Sequence, residues 1–239
     1  MGKHEEFEGI AEVAGGGLPD SKVKAGSTAL MIIDMQYVDA DRNHGLGLDG
    51  QKRGWTEDME YYFSRLESLV IPNVKQILAA CRNAGIHVVH VRVMNLAGDS
   101  SDTSWRYRMF GIFVPPGAKD AEIIPELAPL PGEVVLSKTT SSVFLSTNAD
   151  FLLRNMGVDT IIMTGVVTNN CVESSTRNAT DIGYRVLLVG DACAAWTQEG
   201  HDYALRHLDR NFAIVKTTEQ VLDEIAALTR QQGVAAAVT

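Results

Sequence analysis

The sequence is poor in the features that mark a special environment. It has three cysteines in 239 residues, Cys81, Cys171 and Cys193, far apart and in no Cys-x-x-Cys pair. An odd, scattered set is neither a disulfide framework nor a cysteine zinc site. Reduced thiols in a cytoplasm are the expected state. No apolar run approaches the roughly 20 residues that cross a bilayer. The opening MGKHEEFEGIAEV is acidic and lacks the apolar stretch of a signal peptide. Positive charge is also scarce: 21 Lys and Arg against 30 Asp and Glu give a net charge of -9, with no basic run. Nucleic acid and anionic membrane surfaces are therefore poor partners. There is no internal repeat and no low-complexity segment.

What is present reads as one α/β domain. Hydrophobic residues make up 45% and charged residues 21%, an ordinary globular balance, and the length suffices for a substantial core. Residues 1–27 are polar and Gly-containing and read as an N-terminal arm. Residues 28–232 read as the single domain, and 233–239 as a loose tail. Strands are expected at Ala29–Ile33, His87–Val93, Glu133–Ser137, Thr160–Thr164, Tyr184–Val189 and Phe212–Val215. Helices are expected at Glu57–Leu69, from Pro72 to about Ala84, from a Thr147 cap to Met156, after Cys171 to about Asp181, at His201–Leu208, and from a Thr217/Gln220 capping box onward. Segments 35–57 and 95–132 read as long loops, and loops of that length in a compact domain tend to be functional. Alternating elements with continuous apolar strands predict a three-layer α/β/α fold around a mostly parallel, doubly wound, six-stranded sheet.

Cys171 has a distinctive setting. The strand ending at Thr164 is broken by Gly165, the polar turn Thr168-Asn169-Asn170 follows, and Cys171 falls near the first turn of the next helix. Free backbone N–H groups there favour a thiolate or a developing oxyanion. A buried cysteine is more often a small hydrophobe, so the residue alone decides little. In parallel sheets, however, ligands bind beyond the carboxyl ends of the strands, and three reactive residues share that edge. Asp34 ends the first strand, Lys138 follows the third and Cys171 follows the fourth. Singly they read as a cap, a rim charge and a core thiol. Together they supply a base, a cation and a nucleophile.

The segments ALMIIDMQ (29–36), KTTSSVF (138–144) and TGVVTNNCVESSTRNATDIGYRVLLVGDACA (164–194) resemble the isochorismatase-like cysteine hydrolases. That superfamily includes nicotinamidases, N-carbamoylsarcosine amidases, ureidoacrylate amidases and biuret hydrolases. The resemblance implies a triad of Asp34, Lys138 and Cys171. It also implies a cis peptide between Val166 and Val167, which turns the N–H groups of Val167 and Cys171 toward an oxyanion. The implied activity is hydrolysis of a C–N bond through a thioester, by a homo-oligomer, dimer or tetramer; no cofactor is expected, and no metal, for the lack of an Asp and His cluster in this sequence.

Departures from relatives narrow the expectation. Isochorismatases proper lack the cysteine nucleophile, so Cys171 favours C–N cleavage. Nicotinamidases carry a metal-binding Asp and His cluster. Here His87 and His90 lie inside a strand and are followed by MNLAGDSSDTSW, without histidine. The expected substrate is a small ureido or N-carbamoyl compound: biuret, triuret, ureidoacrylate or an N-carbamoyl amino acid. Gln36, Arg106, Arg108 and Asn169 are the candidate contacts, and Trp105–Arg108 could wall the site. Two other readings stay open: an amidase of simple carboxamides, nicotinamidase-like, and a non-catalytic binding protein of the same fold.

Overall fold

Side chains of the first strand, β1 (Thr28–Ile33), alternate between two buried faces. Leu30 and Ile32 join one hydrophobic cluster, and Ala29, Met31 and Ile33 join the other. A strand with both faces covered reads as a continuous apolar run, which is why the sequence shows no alternation there. The computed structural model describes residues 16–236. Residues 1–15 of the expected arm and 237–239 of the expected tail lie outside the described residues.

Five further strands follow: β2 (His87–Val93), β3 (Val134–Lys138), β4 (Thr160–Val166), β5 (Arg185–Ala194) and β6 (Ile214–Lys216). All neighbouring pairs are parallel, in the order β3-β2-β1-β4-β5-β6. The chain winds outward to one side of β1 and then returns to wind outward on the other. The strand order therefore reverses between β1 and β4, which places a crevice at their carboxyl ends.

The helices are α1 (Tyr37–Ala40), α2 (Gly45–Arg53), α3 (Glu57–Arg65), α4 (Ile71–Asn83), α5 (Trp105–Met109), α6 (Val143–Ser146), α7 (Ala149–Asn155), α8 (Glu173–Asp181), α9 (Gln198–Leu208) and α10 (Thr218–Ala236). One face of the sheet is covered by α3, α4 and α10, through residues such as Phe63, Ile77 and Ile225. The other face is covered by α6 to α9, through Val143, Leu153, Ala179 and Leu208.

Several boundaries differ from the sequence reading. The segment 35–57 is not a loop but holds α1 and α2. Its glycines hid the helix, yet they are what lets it form here: a Cβ on Gly45 would fall 2.4 Å from Val38 Cα, and one on Gly47 at 2.4 Å from Arg42 O. Helices α3 and α4 are one continuous rod joined by a π-helical turn, Leu66–Val70. Pro72 lies in the first turn of α4, where its missing N–H costs little. The segment 95–132 contains α5 and two 3-10 turns. The capping box is present: Thr217 N–H donates to Gln220 Oε1 at 2.9 Å, and Gln220 N–H to Thr217 Oγ1 at 3.3 Å. Helix α10 continues past residue 232 to Ala236, a stretch rich in alanine, the best helix former. The described part of the arm is anchored to this helix, with Val23 N–H donating to Glu224.

Candidate active site

Asp34 closes β1 with its backbone N–H still in the ladder, donating to Val91 O at 2.8 Å. Its φ of 53° is left-handed, a conformation that costs a non-glycine residue about 1–3 kcal/mol and is kept where a side chain must be aimed. Beside it, Gly165 at φ 106° lets β4 approach: a Cβ there would fall 2.1 Å from Ile33 O. Lys138 closes β3 with its side chain fully buried. Its ammonium lies 2.8 Å from Asp34 Oδ2, 3.1 Å from Tyr107 Oη, 3.2 Å from Thr140 O and 3.4 Å from Cys171 Sγ. The structure thus brings Asp34, Lys138 and Cys171 together at the crevice where strand order reverses.

The environment sets the protonation states. Burial acts to lower the Lys138 pKa, but Asp34, Cys171 and Tyr107 outweigh it, and the ammonium stays charged well above its usual range. Burial raises the Asp34 pKa, with Lys138 and then the Cys171 thiol pulling it back. Asp34 Oδ1 has no hydrogen-bond partner among the described residues, so a free acceptor remains on that carboxylate. Burial pushes the Cys171 thiol up to about 12, against the pull of Lys138. The helix end, expected to favour a thiolate, does not hold the thiol at a lowered value. Cys171 lies in a π-helical turn, Thr168–Val172, ahead of α8, and desolvation there outweighs the helix end. Cys81 and Cys193 are also pushed up to about 12 by burial. What sets Cys171 apart is the ammonium and phenol beside its sulfur, not an intrinsically acidic thiol.

The turn before Cys171 is held from behind. Arg65 donates to His201 Nε2 at 3.0 Å, which leaves the proton on Nδ1 to be donated to Thr168 Oγ1 at 2.9 Å. Arg65 also donates to Cys193 O at 3.2 Å. The Val166–Val167 peptide is cis. Val167 and Cys171 both line a cavity of about 440 Å³ with Asp39, Arg106, Tyr107 and Asn169.

The expected substrate contacts divide. Asn169 and Arg106 line that cavity, Arg106 held by Ser141 Oγ at 3.0 Å and lying over the Phe110 ring at 5.0 Å. Gln36 does not face it as a free group. Its side chain donates to Val93 O and Asp120 O, both at 2.9 Å, and accepts from Val93 N–H at 2.5 Å. Both of its N–H donors are spent, and its oxygen is engaged, tying the chain after β1 to β2 and to the 95–132 segment. Arg108 is exposed and donates to the carbonyls of Ser101 and Thr103 in its own loop, at 3.2 and 3.4 Å. Both corrections have one cause, the nearby backbone acceptors, which sequence does not display. His90, in the strand, pairs with Glu133 at 3.0 Å. Among the described residues no group of three or more His, Cys, Asp or Glu is placed to hold a metal ion.

Sequence reasoning gave no role to Asp39 or His201, and gave Tyr107 only a place in a wall. Tyr107 is buried with its hydroxyl 3.3 Å from Cys171 Sγ; it belonged to the Trp105–Arg108 stretch, but no local pattern marks its depth. Asp39 borders the cavity with an unpartnered buried Oδ2. His201 is a helix residue whose partners come from α3 and the Thr168 turn.

The isochorismatase domain model matches residues 28–220. The ureidoacrylate amidohydrolase RutB of Pseudomonas savastanoi pv. phaseolicola is 30% identical over 223 residues, covering 81% of this chain and 85% of the relative. Among solved structures, a cysteine hydrolase from Pseudomonas syringae pv. phaseolicola superposes with a TM-score of 0.72 at 25% identity, over 88% of this chain and all of the other. The N-carbamoylsarcosine amidase from Thermoplasma acidophilum gives a TM-score of 0.61 at 26% identity, over 80% of this chain and 96% of that one.

Proposed function

Because the chain belongs to the isochorismatase family and is one of its amidohydrolases, acting on C–N bonds other than peptide bonds, we propose that it cleaves a small ureido or N-carbamoyl compound, with Cys171 as nucleophile. The observation that carries this reading is the sulfur of Cys171 at a cavity, in contact with a buried Lys138–Asp34 ion pair. The similar proteins named for ureidoacrylate and N-carbamoylsarcosine support the substrate class. Biuret and triuret belong to the same class.

The chemistry follows from the protonation states. The thiol rests neutral, so its proton must leave as the sulfur attacks. Asp34 takes that proton, and the Lys138 ammonium stabilises the forming thiolate. The S–C bond forms at the carbonyl carbon, and the N–H groups of Val167 and Cys171 hold the tetrahedral oxyanion. Asp34 then returns the proton to the leaving nitrogen, the C–N bond breaks, and an acyl-thioester remains. Water, deprotonated by Asp34, attacks the thioester; the C–S bond breaks and the proton passes back to the sulfur. One carboxyl group acts in turn as base, acid and base.

A homo-oligomer in a reducing cytoplasm is part of the same reading. It is supported by large apolar side chains left exposed, Trp105, Leu145 and Phe151 among them, and by three cysteines that are free and buried. No helix among the described residues is long and apolar enough to cross a membrane.

The test is ammonia release across a panel of biuret, triuret, ureidoacrylate, N-carbamoyl amino acids, nicotinamide and aliphatic amides. A ureido compound should give a kcat/KM well above nicotinamide or any simple amide. A preference for nicotinamide or an aliphatic amide would falsify the ureido reading and leave the thiol mechanism standing.

A further inference from the structure

The cavity beside Cys171 holds about 440 Å³, within the range of roughly 300–1,000 Å³ that drug-sized ligands fill. A bare ureido group leaves much of it empty. Among the described residues, Arg106 is the one basic residue in the lining, and its guanidinium stands at the wall. The central carbon of that group lies 5.0 Å from the Phe110 ring and 5.9 Å from the Tyr107 ring, and both residues line the same cavity. Arg106 is half-buried, so part of it still meets solvent.

This guanidinium is fixed in place but not neutralised. Nη1 donates to Ser141 Oγ at 3.0 Å, and that hydroxyl donates in turn to Asn170 Oδ1 at 3.2 Å. The arginine is thereby tied to the residue before Cys171. Among the described residues, Nε and Nη2 have no hydrogen-bond partner and no carboxylate pairs with the group. Arg42, Arg82, Arg154, Arg177 and Arg185 each have such a carboxylate. The acids near the thiol do not supply one. Asp34 is already paired with Lys138 at 2.8 Å. Burial first, and Asp34 next, push the Asp39 carboxyl well above the usual carboxylate range, which favours its uncharged form. The cavity thus presents an unmatched positive charge with a free planar fork, the geometry that binds a carboxylate through paired hydrogen bonds.

We propose that Arg106 is the carboxylate-binding group of this cavity and that the substrate is a ureido acid, with its reacting carbonyl at Cys171 and its carboxylate on the arginine. This substrate class rests on the ureido reading of the head. Within it, Arg106 selects N-carbamoyl amino acids and ureidoacrylate over biuret and triuret, which carry no carboxylate. Tyr107 touches both ends of the site: its hydroxyl is 3.3 Å from Cys171 Sγ, and its ring is 5.9 Å from the guanidinium carbon. A short carbon linker therefore joins the ureido group to the acid.

Two measurements separate the arginine from the head-group chemistry. The first alkylates the whole protein with N-(iodoacetyl)-β-alanine or its neutral counterpart N-(iodoacetyl)-3-aminopropan-1-ol, in which the iodomethyl carbon takes the place of the outer ureido nitrogen. The Cys171 sulfur bonds to that carbon, iodide leaves, and peptide mass spectrometry reads the rate at Cys171. The carboxylate reagent should react at least about tenfold faster, and Arg106→Gln should remove the difference. Equal rates, a preference that persists undiminished in Arg106→Gln, or no labelling by either reagent overturns the subsite whatever amide the enzyme hydrolyses. The second measurement is kcat/KM for N-carbamoyl-β-alanine, 3-ureidopropan-1-ol and biuret. The acid should lead by at least about tenfold, and Arg106→Gln should lower its ratio to the alcohol by a similar factor, through KM rather than kcat. An equal fall for acid and alcohol is the mark of a disturbed loop and would overturn the carboxylate role, as would a lead for biuret. A carboxylate preference in alkylation with no turnover of any ureido compound would refute the ureido head alone and leave Arg106 in its role.

Discussion

The Tyr107 hydroxyl stands 3.3 Å from Cys171 Sγ while accepting a hydrogen bond from Lys138 Nζ at 3.1 Å. With its oxygen occupied by the ammonium, the phenol is left to donate toward the sulfur. Burial keeps that hydroxyl protonated, its pKa well above the usual tyrosine value. Tyr107 and Lys138 together give the forming thiolate two donors in a dry site, where such bonds are strongest. Tyr107→Phe is expected to keep the fold and lower kcat/KM by about 10–100-fold, as for a hydrogen bond to a charged group worth about 1.5–3 kcal/mol. The loss should appear in the rate of thioester formation under single-turnover conditions. Unchanged single-turnover rates would remove Tyr107 from the mechanism.

Cys171→Ala is expected to abolish turnover, by at least about a thousandfold. Cys81→Ala and Cys193→Ala should stay active, with only modest destabilisation from the small voids they leave in buried positions. Full activity in Cys171→Ala, checked against contaminating enzyme with a tagged and repurified sample, would rule out covalent thiol catalysis.

In the proposed mechanism the active form has Asp34 ionised, Lys138 charged and Cys171 protonated. Burial raises the Asp34 pKa, so kcat/KM should fall on acidification at a pH above the ordinary carboxylate range. On the alkaline side the thiol is pushed up to about 12 and Lys138 is held well above its usual value, so no alkaline fall is expected from neutral pH to about 10. Asp39 and Tyr107 also face this cluster, and Asp39→Asn with Tyr107→Phe separates their contribution to the acid limb. A thiolate-type profile, with activity rising through pH 8 to 9 as a free cysteine titrates, would contradict the neutral resting thiol.

Stability should also depend on pH through His201. Burial first, and Arg65 next, lower its pKa to about 4, against about 6.5 for an unfolded histidine. Between those values the unfolded chain binds a proton that the native state does not. Stability is therefore present above pH 6.5 and is lost as pH falls toward 4. The loss by pH 4.5 is about 2–3 kcal/mol. His201→Gln keeps an acceptor for Arg65 and a donor for Thr168, and should flatten this part of the profile. Urea midpoints at pH 7 and 4.5 for both proteins measure it; parallel losses would mean that His201 is not the titrating group.

Much of the protein was legible in the chain. Strand β2 is found at His87–Val93 because both its ends are set by local chemistry, Gly85 before it and the loss of β-branched residues after it. The parallel sheet followed from apolar strands alternating with helices, since such strands can be covered only by crossover helices on both faces. Asp34, Lys138 and Cys171 could be grouped because each follows a strand and parallel strands present their carboxyl ends on one edge. Tertiary structure decided the rest. Whether Gln36 meets a substrate or a backbone amide depends on Val93, 57 positions away, and no local pattern carries that distance. Whether Tyr107 is loop surface or a thiol partner depends on where the chain after β2 folds back. The thiol itself shows the division most clearly. Local sequence placed Cys171 near a helix start, where a lowered pKa is expected. The fold buried it, and desolvation is a property of all the atoms packed around a group rather than of its neighbours in sequence.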